Sequence, residues 1–231
     1  MKKLVLLALL AACTKVDSDN ILTSGIYADL GARANGDGRT SVYATLFLEN
    51  PINLNFIELQ GDDELIASNG PDDKVMAETE LLNIVSYQAT FQTEEGGDEF
   101  VIDFVRTVDD GAPSSIVTLP EKFTVDPPAS SSARVAAMTV TWAPAGSGDL
   151  MSWRASGECI DPASDSISGD SGTLAIAPNT FRKKQGMQVA DTCDVFLTLT
   201  RTRLGVLDRN YGEGGKVVGD QNRTVVFSST P

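Results

Sequence analysis

The side chains able to do chemistry in this chain are carboxylates, three thiols and a supply of hydroxyls, because its 231 residues include no histidine. That absence removes the Ser/His/Asp and Cys/His nucleophiles, histidine zinc sites and imidazole acid–base work. Carboxylates are abundant, 32 acidic against 18 basic residues for a net charge of −14. They fall in short clusters: Asp37, Asp62-Asp63, Asp72-Asp73, Glu94-Glu95, Asp98-Glu99, Asp109-Asp110, and Asp161, Asp165 and Asp170. Clustered oxygens are what calcium selects, but none of these has EF-hand spacing, and Asn35-Gly36-Asp37-Gly38 reads better as a turn. A carboxylate pair can hydrolyse a glycoside without histidine, provided that its surroundings shift one pKa; these acids sit in turn-like sequence and nothing selects a pair. Gly212-Glu213-Gly214-Gly215 lacks the Lys-Ser/Thr ending of a phosphate-binding loop. We therefore expect no catalytic residue, no metal ligand and no cofactor. The acidic balance repels phosphate backbones, so nucleic acid is not an expected partner.

The three cysteines carry more information. Met1-Lys2-Lys3 precedes the apolar run Leu4 to Leu10, then Ala11, Ala12 and Cys13, the layout of an export signal. The run is far short of the roughly 20 residues of a membrane-spanning helix. Leu10-Ala11-Ala12-Cys13 resembles the lipobox of bacterial lipoproteins. The resemblance implies that a diacylglyceryl group is attached to the Cys13 sulfur, that the chain is cleaved before it, and that acyl chains then hold the protein to a membrane. At about 0.8 kcal/mol per buried methylene, several chains form a lasting anchor. Thr14 stands where lipoproteins kept in the inner membrane often carry aspartate, which directs the expectation to the outer membrane of a Gram-negative host. Residues 1–12 are then the signal peptide and 13–20 a lipidated flexible tether.

With Cys13 assigned to lipid, Cys159 and Cys193 remain. In an exported protein the economical reading is that they pair, the alternative being two separate buried thiols. Closing a loop of this length stabilises a fold by about 3 to 4 kcal/mol in the chain-entropy account. Period-two alternation runs along both segments: Met151, Trp153, Ala155, Gly157 and Cys159 share one face, and Cys193, Val195, Leu197 and Leu199 share another, with Phe196 out of pattern. Both cysteines thus point inward from strands.

The elements that position these residues are strands and turns. Ile26 to Arg33 and Val42 to Leu48 flank Asn-Gly and Asp-Gly steps suited to a hairpin, and Val85 to Phe91 and Phe100 to Phe104 flank Thr93 to Glu99. Helical periodicity is weak, its best candidate being Asp73 to Ile84. Pro127-Pro128-Ala129-Ser130-Ser131-Ser132 reads as an exposed linker. The expected fold class is all-β, with two β-sandwich-like domains, 21–126 and 134–231, joined by 127–133. The second half, through Met138-Thr139-Val140-Thr141-Trp142, resembles the immunoglobulin-like and fibronectin type III sandwiches. It departs from antibody domains in that Trp142 and Trp153 both precede Cys159. Leu204 to Val217 is similar to a β-propeller repeat of the form Gly-x-Leu-Asp-x-x-Phe-Gly-x-x-Gly, with Tyr211 at the aromatic place; only one copy is found. Its physics is that of a turn in which Asp208 accepts backbone N–H bonds and an aromatic packs inward.

Together these features lead us to expect a membrane-anchored envelope lipoprotein with a non-catalytic structural or binding role. Its partner is expected to be an envelope protein or a glycan, with a carbohydrate- or calcium-binding module as the alternative and a secreted hydrolase after it. Exposed threonines and arginines along Thr198 to Arg203 are the candidate binding face. Trp142 and Trp153 fall on inward positions and read as core.

Overall fold

The structure is a computed structural model that describes residues 14–126, 128–186 and 190–231. The expected lipidation site, Cys13, lies outside the described residues. The first half forms β1 (Thr14–Asp17), β2 (Ile26–Ala34), β3 (Thr40–Leu48), β4 (Asn55–Glu58), β5 (Glu64–Asn69), β6 (Asp72–Val75), β7 (Ala77–Leu81), β8 (Ile84–Phe91), β9 (Glu99–Val105) and β10 (Ala112–Thr118). The second forms β11 (Thr124–Asp126), β12 (Ser131–Ala133), β13 (Met138–Ala143), β14 (Leu150–Gly157), β15 (Ile160–Ile167), β16 (Thr173–Ile176), β17 (Cys193–Leu204) and β18 (Lys216–Thr230). The protein is all-β. No helix long and apolar enough to cross a membrane occurs among the described residues.

One long sheet organises the chain, in the order β1-β4-β3-β2-β18-β17-β14-β15, with β8 and β7 continuing from β3 and β12 beside β18. Two smaller sheets, β10-β9-β5-β6 and β11-β13-β16, cover one face of it. Each covering sheet traps its own apolar core. The first core packs Ile26, Ala28, Leu30, Val42 and Leu46 against Leu65, Phe100, Ile102 and Phe104. The second packs Trp153, Val195, Leu197, Leu199 and Phe227 against Met138, Val140, Trp142 and Ile176. Alternation produces this: even positions of β2 and odd positions of β14 and β17 are apolar and buried. Both tryptophans are core residues, as their register requires.

The two cores share β18, which gives Val217 to the first and Phe227 to the second. β18 pairs parallel with β2 from Lys216↔Asp29 to Gln221↔Ala34, and antiparallel with β17 along twelve residues from Cys193↔Ser229 to Leu204↔Val218. Segments near opposite ends of the chain thus lie side by side.

Three expectations are corrected. Thr14–Asp17 of the expected tether is a strand, parallel to β4, and Lys15 Nζ lies 3.1 Å from Glu58 and 3.2 Å from Glu80. The edge of β4 offers unpaired backbone groups, and the segment after Cys13 satisfies them. Within the expected linker, Ser131–Ala133 pairs parallel with Ser228–Thr230. Because β2 stops opposite Gln221, the far half of β18 has an open edge, and β12 fills its last three places. The helix considered for 73–84 is instead two strands, β6 on β5 and β7 on β8; the open edges of β5 and β8 outweigh a weak helical period.

Between the cores runs a polar seam. Arg201 has no exposed surface; its guanidinium lies 2.8 Å from Asp170 and donates to the carbonyls of Glu121 (2.8 Å) and Pro144 (2.7 Å), above the Phe123 ring. Asp170 also accepts from Trp142 Nε1 (2.6 Å), Ser147 N (3.0 Å) and Ser147 Oγ (2.7 Å). Burial disfavours its charge, but the Ser147 and Trp142 hydrogen bonds and Arg201 outweigh burial and hold its carboxyl below the ordinary range.

Candidate functional site on the open face of the long sheet

With both covering sheets on one side, the opposite face of the long sheet is open from β3 to β15. Even positions of β17 and β18 project there and form a cross-strand ladder. Thr198 and Thr224 share a hydrogen bond of 2.8 Å, Thr200 donates to Asn222 Oδ1 at 2.7 Å, and Thr202 donates to Asp220 Oδ1 at 2.7 Å. Threonines suit a half-exposed pleat, and the directly opposite register brings each pair into contact. Arg33 of β2 reaches Asp220 and lies 4.8 Å above the Tyr43 ring. Tyr43 in turn covers Gly31, where a Cβ would come within 2.5 Å of the tyrosine oxygen. Burial pushes the Tyr43 hydroxyl up to about 12, so it remains a neutral donor at physiological pH.

Arg33, Asn35, Arg154, Thr198, Asp220 and Asn222 line an open depression of about 400 Å³. Another of about 430 Å³ adjoins it across Arg154 and Thr200, towards Ser164 and Ser166 of β15. At the end of the ladder nearest the disulfide, Phe196 is 51% exposed beside Val226, its cross-strand partner. Of the expected face, Thr198, Thr200 and Thr202 therefore belong to a wider surface of hydroxyls, amides, the Asp220 carboxylate and two guanidiniums, whereas Arg201 is buried on the other face of β17 and Arg203 pairs there with Asp149. Such a face can hydrogen-bond to a neutral polar ligand and stack an aromatic against it.

Two of the acidic clusters meet on one cation: Asp63 (3.1 Å) and Asp109 (3.7 Å) both flank the buried Arg106, and Asp109 also accepts from Thr23 N (2.7 Å). Glu95 meets Lys122 (2.7 Å), and Asp170 is the buried partner of Arg201. Hydrogen bonds from the Thr23 and Asp110 backbone hold the Asp109 carboxyl below its usual range. Asp208 forms the expected turn, accepting from Asn210 N (2.8 Å) and from the amide (2.9 Å) and hydroxyl (2.7 Å) of Ser114, while Tyr211 is buried and stacks parallel to Phe104. Asp103 is the carboxylate pushed up, by burial first and by Asp208 second.

Glu58, Glu78 and Glu80, which no local pattern singles out, bring carboxylate oxygens within 4.8 Å of one another on β4 and β7. The Lys15 ammonium lies against two of them. Glu78 and Glu80 alternate along one strand face, but their approach to Glu58 depends on sheet pairing that no local pattern announces.

Cys159 and Cys193 form a disulfide with their Cα atoms 5.6 Å apart. Cys159 is buried in the turn between β14 and β15, and Cys193 opens β17, the strand next to β14, so the bridge ties neighbours at one end of the long sheet.

No family model matches the chain, and no curated protein matches it. Among solved structures, murine CEACAM1b is similar over 87% of this chain and 99% of its own, at 10% identity and a TM-score of 0.23. At that score the likeness carries no argument, and the all-β class rests on the strands themselves.

Proposed function

We propose that this protein is a lipid-anchored bacterial envelope protein, of the outer membrane, whose open sheet face serves a non-catalytic binding or structural role. The observation that carries the anchor is Leu10-Ala11-Ala12-Cys13 behind a short apolar run and two lysines. The open face supports the non-catalytic role: its hydroxyls and carboxylate are paired with one another, which builds a recognition surface rather than an activated group. Membrane fractionation tests the anchor. The wild-type protein partitions into detergent, and Cys13→Ala leaves an unlipidated precursor that does not acquire acyl mass; an acyl-bearing Cys13→Ala protein would refute the reading.

One observation favours a glycan as the ligand of that face. Phe196 presents an exposed ring beside Thr198 and within the same strand as the polar ladder, the combination by which sugars are stacked and hydrogen-bonded. Retention on a glycan array that is lost in Phe196→Ala supports this assignment, and unchanged retention contradicts it.

A further inference from the structure

The strand after Cys13 fixes which end of the molecule a lipid on that residue would occupy. β4 and β8 both run antiparallel to β3, and β1 is parallel to β4. Thr14, Asn55 and Ile84 therefore all lie at the Leu48 end of β3. Thr14 Oγ1 donates to Asn55 Oδ1, and Cys13 is one peptide further, with about 3.8 Å between consecutive Cα atoms. No spacer separates an acyl chain on Cys13 from this end of the sheet.

Two chain reversals stand at that end, and both expose large apolar side chains. The loop before β4 carries Ile52, 86% exposed, and Leu54; the turn between β7 and β8 carries Leu81, Leu82, 82% exposed, and Ile84. The residues at issue, Pro51 to Leu54 and Leu81 to Ile84, include no acid or base, on a chain whose net charge is −14. Glu58 and Glu80 beside them are held by Lys15, and Glu49, two residues before Pro51, is an exposed carboxylate at the rim of the first loop. Backbone conformation adds a separate observation. Leu54 (φ 51°) and Leu82 (φ 53°) both occupy the left-handed region, which favours glycine or asparagine and costs a leucine about 1 kcal/mol or more. A tight two-residue hairpin would more readily use Asn-Gly there. Leu82 stands at the hairpin apex exposed and strained, and Leu54, 40% exposed, closes the first loop in the same backbone region.

We infer that these two reversals form a membrane-seating face: Ile52, Leu54, Leu81, Leu82 and Ile84 enter the interfacial region of the bilayer around the anchored Cys13 and hold the body upright, with the Thr40 end of β3 farthest from the membrane. This deepens the anchor reading and rests on it. Exposed apolar side chains beside a lipid attachment point share the lipid's preferred environment, and that proximity selects a bilayer over a protein partner.

The test reconstitutes the mature lipidated protein into phosphatidylethanolamine vesicles, with a nitroxide on an introduced cysteine at Leu82→Cys, Ile52→Cys or, at the opposite end of β3, Arg39→Cys. Collision with oxygen against a water-soluble nickel chelate is measured. Labels at 82 and 52 are expected to gain oxygen and lose nickel access, with 39 remaining water-like. A protein that floats with the vesicles while labels 82 and 52 stay water-like overturns the seating face and leaves the anchor intact. Labels shielded from both reagents overturn it in favour of a protein partner or a second copy. A protein that does not float overturns both. Leu82→Asn separates membrane contact from packing: it is expected to melt no lower than wild type while the label at 52 loses part of its lipid signature. A lower melting temperature with an unchanged label would make Leu82 a packing residue and overturn the proposal.

Discussion

Asp170→Ala is expected to be among the most destabilising single changes in the molecule. The substitution leaves the fully buried Arg201 guanidinium without its counter-ion and removes the acceptor for Trp142 Nε1 and for the Ser147 amide and hydroxyl. Breaking one side of a buried pair costs about 3 to 5 kcal/mol, and each buried donor left unpaired about 1 to 3 kcal/mol more. Ser147 sits at a loop and regains water, so about 4 to 6 kcal/mol is expected, a large part of a domain's total stability. Arg201→Met alone is milder, about 2 to 4 kcal/mol, because Asp170 keeps its other donors while the Glu121 and Pro144 carbonyls lose theirs. The double variant removes both charges and is expected to be at least about 2 kcal/mol more stable than the sum of the single losses predicts. Urea unfolding of the four proteins gives the cycle. Single losses that simply add, within about 0.5 kcal/mol, would refute the reasoning, since the seam would then contain no coupled pair.

Reducing the Cys159–Cys193 bridge is expected to lower stability by about 3 to 4 kcal/mol, measured by denaturant midpoints with and without reductant; an unchanged midpoint counts against it. Because both cores share β18, calorimetry of the oxidised protein should show one transition, not two separated by the residues 127–133. Gly31→Ala places a methyl 2.5 Å from the Tyr43 oxygen and 2.6 Å from the Val218 carbonyl, so a loss of about 1 to 3 kcal/mol is expected in thermal melts, and Gly31→Ala with Tyr43→Ser should recover part of it. Asp170 and Asp208 both have folded pKa values below the ordinary one. The stability they contribute is complete above the unfolded value of about 4 and is lost as pH falls through the lower folded values, so acid titration of the melting temperature should fall below about pH 4 and flatten above it. A loss beginning near neutrality would contradict that assignment.

Period two in the sequence tells which side chains face inward, and that much was legible. Trp142, Trp153, Val195, Leu197 and Leu199 all lie in the core, the hairpin of β2 and β3 forms around Asn35 to Gly38, and Asp208 and Tyr211 make the turn their spacing implied. The same period is silent on which strand lies beside which, because an alternating strand can bury its face against any neighbour. The pairing of β18 with β2, some 190 residues apart, follows from no local signal, and it runs one long sheet through both of the expected sandwich-like halves. Polar segments at strand edges were the other blind spot. Thr14 to Asp17 and Ser131 to Ala133 have the composition of tethers, yet each meets an edge whose backbone groups need partners. The open polar face was partly legible as outward threonines. Arg33, Asn35 and Arg154 join it only through the assembled sheet.

The proposed membrane anchor depends on the sulfur of Cys13, and intact mass spectrometry of the protein extracted from its native cells tests it most directly. The account predicts a chain that begins at Cys13 and carries the added mass of acyl groups on that residue. A mature chain that begins elsewhere, or an unmodified thiol at position 13, would contradict it.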